Sequence, residues 1–320
     1  MSCGGGQGEI HKEKMIRMQS KKKRDILTTV FFGLVFLVGL SVMLYPTFSN
    51  WWNQRHQSRA VASYKEAVAQ MDNGETEKLF AEAHAYNEQL ANLYAPFTNF
   101  DAIPGYDDIL NISGTGIMGY VSIPNINVEL PIYHGTSEGV LQIASGHIQG
   151  SSLPVGGAST HAVISGHRGL PSARLFTDLD QIVEGDTFTI NVLNEVYTYE
   201  VERILVILPT ETDKLAIFPG EDIVTLMTCT PYGVNTHRLL IRGHRIETIY
   251  DKKIKVSADA LQVDQMTVIP AVFVPLLILL FIYWHITGKR KKMVIDKYII
   301  DKLPRKGGQE HGENHAQKTE

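Results

Sequence analysis

Cys229 closes an apolar β-type run, Ile223-Val224-Thr225-Leu226-Met227-Thr228, and a second such run opens with His237 and Arg238 and continues Leu239-Leu240-Ile241. Between them lies a short loop, Thr230 to Thr236, whose Pro231 and Gly233 are turn formers. Paired as antiparallel neighbours, the two runs place the thiol of Cys229 beside the permanent cation of Arg238. A neighbouring guanidinium favours the thiolate, the form of cysteine that attacks electrophiles. The competing reading of a lone cysteine at a strand end is a small buried hydrophobe. Acyl transfer by a thiol also needs an imidazole to move protons and a donor for the oxyanion on the attacked carbonyl. Arg238 suits the donor role. The imidazole must come from His134, His147, His161, His167, His237 or His244, and three of these (His147, His167 and His244) follow a glycine. His167 leaves a β-type run into a glycine-flanked loop, as a residue at the rim of a barrel would. Spacing alone does not choose between His167 and His147. No cysteine or histidine pair has the tight spacing of a zinc site, so no metal is expected.

The compartment decides between the two readings of Cys229. Ile26 to Tyr45 runs twenty residues without a charge, and Thr267 to Thr287 is a second stretch without Asp, Glu, Lys or Arg. Each is long enough to cross a hydrocarbon layer of about 30 Å as a helix. Lys21-Lys22-Lys23-Arg24 precedes the first and Lys289-Arg290-Lys291-Lys292 follows the second. The positive-inside bias therefore puts both termini in the cytoplasm and residues 46–266 outside, with Trp51, Trp52, Tyr283 and Trp284 as interfacial anchors. The first stretch is too long, and too poor in small residues at its end, for a cleaved signal peptide. The outer segment then holds one cysteine and no partner for a disulfide. An odd thiol in an oxidising compartment is an intermolecular link or a reactive group. The net charge of −4 offers no electrostatic footing for nucleic acid.

Composition and periodicity divide the chain into the elements that would position these groups. Residues 1–25 form a cytoplasmic tail, its first twenty residues polar and disordered, and 26–45 the first span. In 46–93, apolar residues three and four apart predict two helices, broken at Asp72-Asn73-Gly74 and packed on the main domain. Residues 94–111 form a linker with two prolines and more aromatics than a plain loop needs, so it packs on or covers something. Residues 112–250 carry many short β-type runs at close spacing, which argues for a β-barrel or sandwich. The rest divides into a linker over 251–266, a span over 267–287 and a cytoplasmic tail over 288–320.

Thr225-Leu226-Met227-Thr228-Cys229, with Arg238 nine residues on and a His-containing loop about sixty residues earlier, resembles the sortase signature. The resemblance runs from about Gly116 to Ile246 through GYVSIPNINVELPIYHGT, SLPVGGASTHAVISGHRGLPSA, LFTDLD and EGDTF. It is greatest to class C, the pilus-building sortases, in which a second membrane span is also typical. The resemblance implies a mostly β fold: an eight-stranded barrel with short helices, an N-terminal helical segment and two flanking transmembrane helices. It implies Cys229 as nucleophile, His167 as general acid and base, and Arg238 as the group that orients substrate and stabilises the oxyanion. The substrate would be a pilin or surface protein with a Leu-Pro-X-Thr-Gly-like sorting signal, cut at Thr–Gly. The acceptor would be a pilin lysine or, in the wall-anchoring alternative, a cell-wall peptide amine. No cofactor is required, and the setting is a Gram-positive-type cell surface. A distant third reading is a non-catalytic extracellular scaffold. Class C enzymes usually carry a lid with Asp-Pro-aromatic; here the best match is Ala95-Pro96-Phe97, so Pro96 and Phe97 are lid candidates without the acid.

Overall fold

The computed structural model describes residues 6–112, 114–248 and 273–283. Eight strands form the centre: β1 Ile117–Ile123, β2 Val128–His134, β3 Ser145–His147, β4 Thr160–Ser165, β5 Thr187–Val192, β6 Glu195–Ile207, β7 Asp222–Thr230 and β8 His237–Ile246. They close into a barrel in the order β1-β2-β3-β4-β7-β8-β6-β5. Closure leaves no free sheet edge. Two neighbouring pairs, β2 with β3 and β4 with β7, are parallel, and the others are antiparallel.

Alternation along the strands sorts side chains to the inside or the outside of the barrel. Leu130 and Ile132, Ala162 and Ile164, Phe188 and Ile190, Val224 and Leu226, and Leu239 and Ile241 fill the interior. The residues between them, Val163 on β4, Met227 on β7 and Leu240 on β8, project outward. There they form a second apolar cluster with Ile207, Leu215, Leu205, Ile148 and Phe97.

The helical part differs from the sequence expectation in two ways. The first span and the helix after it are one element, α1, Gly6–Ala69, with Pro46 inside it. Pro46 removes one backbone hydrogen bond, but Thr47 to Gln54 contains no glycine or turn pair to stop the helix from resuming. The polar residues expected to be disordered are also helical from Gly6 to Ser20. Glu, Lys, Met, Arg and Gln dominate there, and these are strong helix formers. The break at Asp72 is as expected: Asp72 caps α2, Asn73–Ala91, in a capping box with Glu75. Ala83, Tyr86 and Leu90 of α2 join the barrel core.

The strand pattern in the sequence did not reveal β3, three residues of which only Ser145 and His147 carry side chains. A second compact unit, 263–320, is described only as an apolar helix at Phe273–Tyr283. Most of the second span, the 251–266 linker and the 288–320 tail fall outside the described residues.

Candidate active site

Cys229 and Arg238 are directly opposed in the β7–β8 ladder. The hairpin between them turns through Pro231, whose N–H-free nitrogen suits the loop, and Gly233 at φ +76°. Cys229, Met227 and Thr225 lie on one face of β7, and Arg238 and Leu240 on the same face of β8. That face is the outside of the barrel. Cys229 is half-buried and unpaired as a thiol. The Arg238 guanidinium donates to the carbonyl oxygens of His237 at 3.1 Å and Asn235 at 3.3 Å. Among the described residues no carboxylate is within ion-pair distance of it.

The parallel β4–β7 pair brings the third group. Ser165 is opposite Met227, and Gly166 N donates to Met227 O at 3.0 Å. Thr228 Oγ1 donates to Gly166 O at 2.8 Å. These bonds carry the register past the strand end to Gly166, and the same register continued by one residue brings His167 to the level of Cys229. Gly166 is required here: a Cβ would stand 2.7 Å from the Phe176 ring. His167 O accepts from Phe176 N at 3.1 Å, closing the loop that follows. His167 Nε2 faces Glu138 Oε2 at 3.8 Å. Gln142 Nε2 in turn donates to Glu138 Oε1. Glu138 begins the one-turn helix α4, Glu138–Leu141. Nothing in the sequence linked Glu138 to His167, because the two meet only once β3 is threaded between them.

The other histidines have structural partners. His147 is fully buried, with Nε2 donating to Ser152 O at 2.8 Å and Nδ1 facing the Tyr106 hydroxyl at 2.9 Å. Burial pushes it down to about 4, so it stays neutral. His161 is likewise buried between Ala216 O and Thr225 Oγ1 and is pushed down to about 4 by burial. His134 sits between Gly116 O at 2.9 Å and Ile109 O at 2.8 Å. His244 lies at the far end of β8 near Glu202. His237 follows the turn opposite Thr230, on the face of β8 away from Arg238. Geometry thus separates His167 from His147 where spacing did not.

The lid candidates lie on the same outer face. Pro96 and Phe97 begin α3, Pro96–Asn99, and Phe97 packs in the cluster that includes Met227 and Leu240. The Met227–Leu240 pair is two residues along the ladder from Cys229–Arg238, or about 7 Å. Gly150, at φ +93°, makes room for this approach, since a Cβ there would stand 2.8 Å from Pro96 O and 2.9 Å from Phe97 Cα. Ala95 takes a left-handed conformation, φ 47°, one in which Asp and Asn are more at ease than Ala. Farther along, Ile103, Tyr106 and Leu110 are buried in the main core.

Residues 121–246 match the family model described as Sortase domain. Among curated proteins, Sortase A of Streptococcus agalactiae is 29% identical over 135 residues, 41% of this chain and 54% of that protein. The chain therefore spans about half the length of that relative. Sortase A of Bacillus anthracis is 24% identical over 217 residues, covering 67% of this chain and 92% of its own length. Among solved structures, sortase C1 from Streptococcus agalactiae is 49% identical, with TM-score 0.55 over 60% of this chain and 100% of that one. Sortase C of Streptococcus pneumoniae is 43% identical, with TM-score 0.53 over 59% of this chain and 97% of that one.

Proposed function

Because this chain belongs to the sortase family, we propose that it is a membrane-anchored cysteine transpeptidase that joins pilin subunits. The observation that carries the reading is the convergence of Cys229, Arg238 and His167 on one outer face through the β7–β8 and β4–β7 registers. The Cys229 thiolate attacks the threonine carbonyl of a Leu-Pro-X-Thr-Gly-like signal. The oxyanion that forms is held by the Arg238 guanidinium, whose fork of donors suits a developing negative oxygen. Collapse of the tetrahedral adduct breaks the Thr–Gly bond. His167 gives its proton to the leaving glycine amine, and a thioacyl enzyme remains. An incoming lysine amine gives a proton to His167 as it attacks, and the thiolate leaves as an isopeptide bond forms.

Greater identity to sortase C structures than to Sortase A proteins, 49% against 24–29%, favours pilin polymerisation over wall anchoring. The sortase C of Streptococcus pneumoniae, one of these relatives, has a specificity for pilin substrates. In this reading Pro96 and Phe97 cover the groove until substrate displaces them. The packing of Phe97 against the same outer cluster as Met227 supports that role.

The test is intact mass of the full chain in detergent after incubation with a Leu-Pro-X-Thr-Gly peptide, beside Cys229→Ala. A thioacyl adduct on the wild type alone is expected. Adding a lysine-bearing pilin peptide should discharge it to a branched product, whereas discharge only by a wall-type peptide amine would select the anchoring alternative. Equal masses for both proteins, with and without Phe97→Ala to open the groove, would return the chain to a binding role.

A further inference from the structure

The face of α1 that meets the barrel is Asn50, Asn53, Gln57, Val61 and Tyr64, residues three or four apart and so in line along one side of a helix. Each polar member holds a different level of the barrel. Asn50 Oδ1 accepts from Arg174 N at 2.9 Å, and Asn53 Nδ2 donates to Ser172 O at 2.8 Å. Gln57 Nε2 donates to Ile143 O at 2.7 Å. Tyr64 accepts from Leu193 N at 2.7 Å and donates to Met118 O at 3.1 Å. The helix is therefore a ruler. At 1.5 Å per residue, Gln57 stands about 10 Å and Tyr64 about 21 Å above Asn50 along its axis.

The zero of that ruler is at the lipid surface. The apolar run read as the span ends at Tyr45, and the next charged residue is Arg55; Asn50 lies about 7 Å beyond Tyr45. A headgroup layer is about 5–8 Å deep on each side of the hydrocarbon. Trp51 and Trp52, 52% and 50% exposed, sit between the two asparagines, and exposed tryptophans beside a span mark the interface. The same two asparagines hold Ser172 and Arg174, in the loop that leaves His167. Arg174 is two residues, at most about 7 Å, from Phe176, whose N–H closes on His167 O.

We infer that the loop from His167 to Phe176 rests on the lipid headgroups, so that the face carrying Cys229 and Arg238 opens at the membrane surface. The partner is a phospholipid surface, and the contact is made by the exposed Pro171 and its neighbours at the loop tip. The inference takes residues 26–45 as inserted in a bilayer, but it does not depend on the transpeptidation reading. Its test therefore needs no activity.

Full-length protein carrying Cys3→Ser and Cys229→Ala is reconstituted in phosphatidylcholine vesicles. A single fluorophore is placed through Ser172→Cys, Ile143→Cys or Asn194→Cys, the last beside Leu193. A quencher attached to the lipid headgroup reads proximity. The expected order of quenching is 172 above 143 above 194. Equal or reversed quenching at 172 and 194, or none at any site, overturns the inference. A second variant inserts seven alanines between Phe48 and Ser49, two helical turns that leave the seam facing the barrel. It should lift the barrel by about 10 Å, more than the roughly 6 Å between Asn53 and Gln57 along the helix, and so reduce quenching at 172 to below the level of 143 in the uninserted chain. Undiminished quenching at 172 would show that α1 does not set the height.

Discussion

Arg238 and Glu138 both place a charge beside the reacting groups, but their surroundings assign them different weights. In the proposed reaction Arg238 is the donor to the oxyanion, and its removal would leave that oxygen without one. Arg238→Ala should lower the rate of thioacyl formation about 10²–10³-fold, the usual cost of losing such a donor. Arg238→Lys should recover only part of this, because an ammonium lacks the planar fork. Glu138 is 73% exposed at its side chain and 3.8 Å from His167. An exposed pair of that kind contributes at most about 1 kcal/mol, or roughly fivefold in rate. Glu138→Gln should therefore slow peptide-adduct formation by no more than that in stopped-flow or quenched mass measurements, and a larger loss would promote it to an essential partner. Cys229 and Arg238 were legible in the sequence because nine residues and a turn bring them together. His167 and His147 were not separable there: each follows a glycine near a strand end, and only the closed barrel buries one and leaves the other half-open.

The segment 94–111 behaves as two pieces. Ile103, Tyr106 and Leu110 belong to the core, so a chain trimmed through Asn111 should lose several kcal/mol, at roughly 2–5 per large buried side chain removed, and a melting curve would show it. Pro96 and Phe97 instead lie over Gly150 and the outer cluster. Phe97→Ala should expose the groove, and Gly150→Ala should push Pro96 away from it. Both should speed modification of Cys229 by a methanethiosulfonate reagent, measured as the labelling rate of folded protein. Unchanged rates would leave Phe97 a packing residue with no covering role. The prolines and aromatics announced that this segment packs on something. They did not show where it divides, because burial of Tyr106 depends on His147 and Gly135, which arrive from β3 and its approach. Helix α1 shows the converse: the span and the helical pattern after Arg55 were visible, but the helix over Gly6–Ser20 and the join through Pro46, which no glycine or turn pair interrupts, were not.

At the scale of the whole barrel, His147 and His161 tie stability to pH. Both are held near 4 in the folded chain by burial, below the unfolded value of about 6.5. The unfolded chain therefore binds more protons between those values. Stability is full above about 6.5, falls as pH drops toward 4, and loses about 3 kcal/mol per histidine across that window. Urea midpoints taken from pH 7 to 4.5 should decline steadily; a flat series would mean that the two rings are not buried neutral. The mostly β class could be read from short alternating runs, but the circular order could not. Nothing local in Thr160–Ser165 says that it lies parallel to a strand some sixty residues later, and that pairing is set by which faces can be buried together.

That long-range pairing also sets when the enzyme comes into being. The thiol and its guanidinium meet as soon as one hairpin forms, a local event on the order of microseconds. The imidazole arrives only when β4 docks on β7, which must first overcome the closure entropy of the intervening loop. A nascent or misfolded copy thus carries Cys229 beside Arg238 but without His167, the proton carrier of the proposed reaction. If the chain cuts a sorting signal as proposed, that competence certifies a finished barrel, because the topology delivers the third group last.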